Sequence, residues 1–362
     1  MGYEDAISWW RTDFRQEEAD SVVGALADEH ISLGPITADF EVEFAKKIGV
    51  AYAVATTSGS VALLMALMAV GIRRDDEVIL PDRTFVATAH AAAMIGAKVV
   101  LVDTESNRPL IDVEQIRKKI TPRTKAIMPV HLNGRSANMQ AIREIAKEYG
   151  LRVVEDAAQA YYSNSADGYL GTIGDAGCFS LGVTKMISTG QGGMIATNDE
   201  QIYEQLQRVR NHGVIGSKPE PYTQLACNFK FNDLLASIGR VQLSRVEERV
   251  QYLKELYHVY CTGLADLPFI DIVPVDVEAG EVPLWIEVAC DESDQMIEYL
   301  DAHQVGTYKP LYSICRSPHL NCDGDFPNSQ RQNGLIFILP CGPAQPRENV
   351  ERVISLLQSW HS

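Results

Sequence analysis

Short apolar runs alternate with segments of helical periodicity between residues 51 and 198. The runs are rich in β-branched residues and apolar on both faces, which predicts strands buried on both sides of a sheet. These predicted strands cover residues 52–54, 77–80, 98–102, 126–130 and 151–154. The helical patterns between them cover residues 60–70, 84–94, 113–120 and 139–149. Such alternation predicts an α/β fold with a mostly parallel sheet and helices on both of its faces.

The pattern changes after residue 198. We predict a helix over residues 199–211, a loop over 213–221 and one long helix over 232–262 that ends before Gly263. Shorter strand patterns at 269–275, 283–290 and 334–339, with a helix at 348–360, predict a smaller α+β unit. We therefore expect a large domain over residues 20–250, and a small C-terminal domain over residues 251–362 that also includes residues 1–19.

Composition excludes several classes of protein. Of the 362 residues, 32 are Lys or Arg and 48 are Asp or Glu, so the formal net charge is −16. A chain this acidic, without a basic block, repels phosphate backbones and anionic lipids, and we expect neither nucleic acid nor membrane as a partner. The seven cysteines are odd in number and form no C-x-x-C pair, which favours reduced thiols in the cytoplasm over disulfides or a metal site.

Two segments next to predicted strands could bind a ligand. Residues 57–60 (Thr-Ser-Gly-Ser) follow one strand and begin a helix, where free backbone N–H groups could bind a phosphate. Ordinary helix capping explains the same residues. Asp156 ends another strand, at the edge where ligands of open α/β sheets bind. It could cap the next helix, or it could hold the protonated ring nitrogen of a cofactor.

Lys185 is the third candidate. It lies between a buried strand pattern at residues 174–181 and a Gly-rich turn at residues 189–193. Burial would lower its pKa and free the amine for Schiff-base chemistry, although a surface lysine is the alternative. The turn is not a G-x-G-x-x-G fingerprint, because Ile195 stands where the last glycine should be, so we expect no dinucleotide. Phosphate cradle, ring-nitrogen carboxylate and Schiff-base lysine, in this order, together predict pyridoxal phosphate.

The motifs that contain these candidates resemble the DegT/DnrJ/StrS family from about residue 30 to residue 245. They lie at residues 32–35, 40–41, 58–63, 84–88, 130–134, 155–159, 174–180, 185–193 and 228–230. The resemblance implies a fold-type-I, pyridoxal-phosphate-dependent aminotransferase that acts on a keto sugar, which is nucleotide-linked in most of the family. It also implies an amino-acid donor, L-glutamate, and pyridoxamine phosphate as the form of the cofactor that carries the amino group.

The resemblance assigns the catalytic roles. Lys185 would bond the cofactor and move the proton between substrate and cofactor, Asp156 would pair with the ring nitrogen, and Phe85 would stack on the ring. Histidine replaces this lysine in the dehydratase branch of the family, so the presence of Lys185 argues against that branch.

The resemblance also assigns the residues that hold the rest of the cofactor. Gly59, Ser60 and Ser180 would hold the phosphate, and Gln159 would lie near the phenolic oxygen of the ring. Asn228 would reach the phosphate from the neighbouring subunit, which implies a homodimer with shared active sites.

The substrate is less well defined, because the chain departs from the family pattern in three places where substrate would bind. Gln191 replaces a usual Glu, Lys230 replaces a usual Arg, and Tyr312 replaces a usual His. Substrate-binding candidates are Lys230, Lys309, Tyr312 and Arg316. A sugar nucleotide would need a local positive cluster, for which the candidates are Lys230, Arg240, Lys309 and Arg316. Two alternatives remain: the same chemistry on a nucleotide-free ketone, such as a sugar acid or aminocyclitol precursor, and a non-catalytic regulatory protein that binds the cofactor.

Overall fold

The computed structural model describes residues 6–215, 221–222, 224–310, 313–320, 322 and 324–360. Strands and helices alternate through its first half, as the hydrophobic pattern predicts. The strands are β1 (Tyr52–Thr56), β2 (Glu77–Pro81), β3 (Lys98–Val102), β4 (Thr124–Ile127), β5 (Arg152–Asp156), β6 (Asn164–Ser165), β7 (Gly168–Tyr169), β8 (Ala176–Ser180), β9 (Gly193–Thr197), β10 (Asp271–Ile272), β11 (Ile286–Ala289) and β12 (Ile336–Leu339).

The helices pack on both faces of the main sheet and around the smaller sheet near the C-terminus. They are α1 (Gln16–Ala27), α2 (Pro35–Ile48), α3 (Gly59–Ala69), α4 (Ala87–Ile95), α5 (Val113–Lys119), α6 (Met139–Tyr149), α7 (Glu200–Arg210), α8 (Asp233–Ser244), α9 (Val246–Leu264), α10 (Ser293–Ala302), α11 (Pro327–Leu335) and α12 (Arg347–Gln358).

The main sheet has seven strands in the order β1-β9-β8-β5-β4-β2-β3. Strands β8, β5, β4, β2 and β3 are parallel, whereas β9 runs antiparallel to both of its neighbours, β1 and β8. The carboxyl ends of β1, β5 and β8 therefore lie at one edge of the sheet. That edge carries Asp156 and Ser180, and the loop after β1 leads directly into α3. The predicted α/β fold with a mostly parallel sheet is confirmed.

The single long helix predicted over residues 232–262 is wrong. Two helices, α8 and α9, meet at Arg245, whose backbone leaves the helical conformation at φ −111° and ψ 15°. The Arg245 guanidinium forms ion pairs with Asp13, at 2.8 Å, and with Glu18. No glycine or proline marks this junction in the sequence, and both partners of Arg245 come from the N-terminal region.

A smaller antiparallel sheet, β10-β11-β12, lies near the C-terminus, where β10 contacts α9 and β11 contacts α11, while α12 packs on α9. The N-terminal segment reaches it through bridges between Ile7 and Val305 and between Trp10 and Cys341. The expected domain limits at residues 19 and 250 stay a prediction, and residue 250 lies within α9. No helix among the described residues is long and apolar enough to span a membrane.

Candidate active site

A cavity of about 390 Å³ lies at the sheet edge where β5 and β8 end. It contains seven of the residues that the sequence singles out. They are Gly59, Ser60, Phe85, Asp156, Gln159, Ser180 and Lys185. The structure therefore brings together residues from five separate motifs, and it does so at the end of the sheet where a parallel topology places ligands.

Lys185 lies on the loop that joins β8 to β9. Hydrogen bonds between Leu181 and Gly192, at 2.9 Å, and between Leu181 and Thr189, at 3.0 Å, close this loop on itself. The lysine side chain lines the cavity. Burial away from water lowers the pKa of Lys185 to about 8, although the negative charge of Asp156 opposes that shift. A minor fraction of the amine, on the order of a tenth, is therefore neutral near pH 7.

Asp156 ends β5 and is 5% exposed. The Thr88 hydroxyl donates to its Oδ2 atom at 2.7 Å, and the Ala158 backbone N–H donates to Oδ1 at 3.1 Å. Burial raises the pKa of Asp156, while these hydrogen bonds and the nearby Lys185 oppose the rise. A carboxylate in this position is stabilised in its charged form by a cation placed in the cavity.

Glu155, the neighbour of Asp156, points to the other face of the sheet and is fully buried. It accepts hydrogen bonds from His131 Nε2 at 2.8 Å and from three backbone N–H groups of residues 171–174 at 2.6–2.9 Å. The Ala137 N–H donates to His131 Nδ1, so Nε2 of this histidine carries the proton. Glu155 therefore fixes the loop before β8 rather than facing the cavity.

The N-terminus of α3 packs tightly against the ends of β8 and β9. A Cβ atom on Gly59 would lie 2.8 Å from Cβ of Ser180, and one on Gly193 would lie 2.3 Å from the carbonyl oxygen of Ser58. Ser58 caps the helix, since its hydroxyl accepts from the Val61 N–H at 3.2 Å. The first N–H groups of α3 have no acceptor within the helix and border the cavity, where they favour an anion.

Asn228 and Lys230 lie outside the group of cavity-lining residues. Asn228 is exposed and forms a β-bridge with Asn211. The Lys230 ammonium donates to Asn211 Oδ1 at 3.0 Å. The role expected for Asn228 in a neighbouring subunit and the substrate role expected for Lys230 stay predictions.

The other predicted cations are also placed away from the cavity. The Lys309 ammonium contacts Asp294 Oδ1 at 2.6 Å, and Arg240 pairs with Glu43 at 2.7 Å. Arg316 is exposed at the end of a short 3₁₀ turn. Tyr312 lies outside the described residues. The substrate roles of these side chains stay predictions.

Sequence reasoning missed three aromatic residues that line the cavity, namely Trp9, Trp285 and Tyr308. Trp9 stacks on Tyr308 with the ring centroids 4.8 Å apart, and the Trp285 ring lies 5.0 Å from Lys185 Nζ. Tyr308 could have been found, because it precedes Lys309 in an extended segment where successive side chains face opposite ways. Trp9 has no local signal that would link it to the site.

Comparisons with known proteins agree with this geometry. The model of the DegT/DnrJ/EryC1/StrS aminotransferase family matches residues 12–358. The dTDP-3-amino-3,4,6-trideoxy-α-D-glucose transaminase of Micromonospora megalomicea subsp. nigra is 33% identical over 95% of this chain and 94% of its own. The GDP-perosamine synthase of Caulobacter vibrioides is 33% identical over 90% of both chains.

A solved structure extends the likeness to the whole fold. S. venezuelae DesV, crystallised in complex with a ketimine intermediate, superposes with a TM-score of 0.92 at 29% identity and covers 98% of each chain. These matches confirm the predicted fold type, the aminotransferase activity in amino-sugar biosynthesis and pyridoxal phosphate as the cofactor. The chain belongs to the DegT/DnrJ/EryC1/StrS aminotransferase family.

Proposed function

We propose that this protein transfers an amino group from L-glutamate to the keto group of a nucleotide-linked sugar. One observation carries the proposal: Lys185 and Asp156, from separate motifs, line the same cavity beside the N-terminus of α3. The two relatives named above are transaminases or synthases of dTDP- and GDP-linked amino sugars, which supports a nucleotide-linked acceptor.

The cavity residues fit pyridoxal phosphate. Asp156 is a buried carboxylate whose raised pKa calls for a cationic partner, and a protonated ring nitrogen would supply it. Lys185 offers an amine with a lowered pKa for a covalent bond to the cofactor. The first turn of α3 and the Ser180 hydroxyl would hold the phosphate, in a space that Gly59 keeps open. Phe85 and Gln159 would contact the ring.

The cofactor, when bound, supplies the electron sink and carries the amino group between the two substrates. Lys185 takes and returns the proton at its Nζ atom, because a pKa of about 8 lets the amine exchange protons near neutral pH. Asp156 stays ionised against positive charge in the cavity, and Thr88 holds the carboxylate in position through its 2.7 Å hydrogen bond. Trp285 covers the amine of Lys185 and excludes water from one side of it.

We infer that the protein works as a homodimer. Asn228 is exposed and does not line the cavity of its own chain, so it could reach a cofactor phosphate only across a subunit interface. We also expect the protein to act in the cytoplasm, since the seven cysteines, all among the described residues, form no disulfide with one another.

The acceptor can be identified by single-turnover measurements. The protein is first converted to its amino form with L-glutamate, and the absorbance of the lysine-bound cofactor is then followed as each keto sugar is added. We expect nucleotide-linked keto sugars to restore this absorbance at least tenfold faster than the same sugars without the nucleotide. Equal rates, or restoration by free keto sugars alone, would refute the nucleotide-linked acceptor.

A nucleotide-free ketone is the second candidate, and one observation favours it. A sugar nucleotide brings two negative charges, yet Arg240 and Lys309, two of the predicted cations, already pair with acidic side chains. The same set of acceptors, extended to sugar acids and aminocyclitol precursors, distinguishes this candidate from the first.

A further inference from the structure

Two aromatic rings from opposite ends of the chain meet at the cavity. Trp9 belongs to the N-terminal segment and Tyr308 to the extended segment after α10, and their rings stack at 4.8 Å with an angle of 20° between the planes. Both line the cavity that holds Lys185 and Asp156. Tyr308 is 39% exposed, so its side chain is open to contact with a ligand although it stacks on Trp9. The pair therefore presents apolar ring surface to any molecule in the cavity.

The backbone around Trp9 is held by hydrogen bonds from segments that flank the small sheet. The Gly306 N–H donates to the Ile7 carbonyl at 2.8 Å, and the Cys341 N–H donates to the Trp9 carbonyl at 2.9 Å. Tyr308 is fixed in the same way, because it exchanges hydrogen bonds of 2.8 and 3.1 Å with Ile338. Rings on a backbone restrained at this many points lose little conformational freedom when a ligand packs on them.

The same segment is tied to the loop that carries Lys185. Trp10 Nε1 donates to the Val183 carbonyl at 3.0 Å, and the Thr12 hydroxyl donates to that carbonyl at 2.8 Å. The position of Trp9 is thus coupled through its neighbours to a residue two positions before Lys185. A ligand that packs on Trp9 is held in register with the reacting amine.

The apolar surface of the Trp9–Tyr308 pair suits the sugar substrate better than the amino-acid donor. Lys309, next to Tyr308, turns its ammonium to Asp294, so the Trp9–Tyr308 pair carries no positive charge toward the cavity from that position. An amino-acid donor is small and zwitterionic and gains little from a flat apolar surface. A pyranose ring has a face of C–H groups that packs on aromatic rings.

We propose that Trp9 and Tyr308 form an aromatic wall that binds the C–H face of the sugar ring of the acceptor and thereby determines acceptor specificity. The proposal rests on the keto-sugar acceptor of the proposed function. It assigns the wall to one half-reaction only, since the amino-acid donor does not need it.

The test measures the two half-reactions separately in the holoenzyme. Trp9→Ala and Tyr308→Ala should each raise the apparent KM for the keto sugar about tenfold, as expected for the loss of one aromatic contact. The KM and rate constant for glutamate should change less than about twofold. Trp9→Phe and Tyr308→Phe keep a ring and should recover most of the affinity.

Two further measurements and a control variant distinguish lost sugar binding from misfolding. Calorimetric titration with the amino-sugar product reports binding without turnover, and it should weaken by a similar factor. Tyr149→Ala removes a half-exposed aromatic side chain on α6, away from the cavity, and should leave both half-reactions unchanged. Thermal unfolding of each variant reports its folding.

The outcomes separate this proposal from the proposed function. An unchanged KM for the keto sugar in Trp9→Ala and Tyr308→Ala overturns the proposed aromatic wall. An equal loss of activity in both half-reactions, in the Ala and Phe variants alike, also overturns it. A wild-type protein that accepts no keto sugar at all overturns the proposed function and the wall together.

Discussion

The two sides of the cavity are built in different ways. The floor, defined as Gly59, Asp156, Ser180 and Lys185, comes from residues at or just beyond the ends of strands in one sheet, so the sheet topology alone brings them together. The aromatic wall, Trp9 and Tyr308, comes from segments at opposite ends of the chain that meet at the small sheet.

This difference separates chemistry from recognition. The floor carries the groups that titrate or bind an anion, and every half-reaction must use them. The wall offers aromatic ring surface, which contacts a substrate without taking part in proton transfer. Variants of the floor should therefore affect both half-reactions, whereas variants of the wall should affect only the one with the sugar.

Loss of Lys185 should have the largest effect. Lys185→Ala removes the amine that moves the proton, so both half-reactions should slow by about 10⁴-fold or more. Lys185→Arg keeps the positive charge but cannot lose its proton near neutral pH, and it should be equally inactive. Rapid-mixing absorbance measurements check both variants. An Arg variant with substantial activity would show that charge, rather than proton transfer, is the function of this residue.

Asp156→Asn should slow both half-reactions by about 10²-fold, because it removes the negative charge and keeps the shape of the side chain. Glu155→Gln is the matched control on the same strand. That carboxylate accepts hydrogen bonds from His131 and the loop before β8, so its loss should lower the free energy of unfolding by about 2 kcal/mol and leave the rate nearly unchanged. Chemical denaturation and single-turnover rates compare the two variants, and the reverse pattern would contradict their assigned roles.

Gly59→Ala should weaken cofactor binding about tenfold. The new Cβ would lie 2.8 Å from Cβ of Ser180, so the first turn of α3 must move away from the strand end. Gly24→Ala in α1 is the control, since a Cβ atom there would meet no atom within 4 Å, and it should be neutral or stabilising by about 0.5–1 kcal/mol. Equilibrium titration of the cofactor-free protein measures the affinity. Unchanged cofactor affinity in Gly59→Ala would show that the cofactor phosphate does not bind at the first turn of α3.

The smallest effect concerns the pH dependence of Lys185. Because burial lowers its pKa to about 8 from an ordinary 10.5, the neutral fraction of the amine rises as the pH rises through about 8. In the cofactor-free protein, labelling of Lys185 by an amine reagent should therefore have its midpoint near this pH. Asp156→Asn should lower the midpoint further, since the carboxylate raises the pKa of Lys185. Peptide-resolved mass spectrometry measures the pH midpoint of labelling. A midpoint near 10.5, the ordinary pKa of a lysine, would contradict the lowered pKa.

The floor could be predicted from the sequence because its signals are local. Asp156 ends a predicted strand, residues 57–60 begin a predicted helix, and Lys185 follows a buried strand, so parallel topology suffices to place all three at one edge. The strand order of the main sheet, with β9 antiparallel between β1 and β8, could not be predicted in this way, since hydrophobic pattern does not report direction.

The wall and the helix break depend on long-range contacts. The two helices meet at Arg245, where Asp13 and Glu18 pair with its guanidinium, and neither contact is visible from the periodicity of residues 232–262. Alternation along an extended segment points to Tyr308 or Lys309 as the inward side chain but does not say which. In the structure Tyr308 lines the cavity and the Lys309 ammonium contacts Asp294.

The Lys185-dependent transfer of the amino group is tested most directly by following the nitrogen itself. Wild-type protein is given glutamate labelled with a nitrogen isotope and a nucleotide-linked keto sugar, and the sugar product is examined by mass spectrometry. We predict labelled amino sugar from the wild type and none from Lys185→Ala. Labelled amino sugar from Lys185→Ala would contradict this mechanism. So would a wild-type protein that forms no labelled amino sugar from any keto sugar offered.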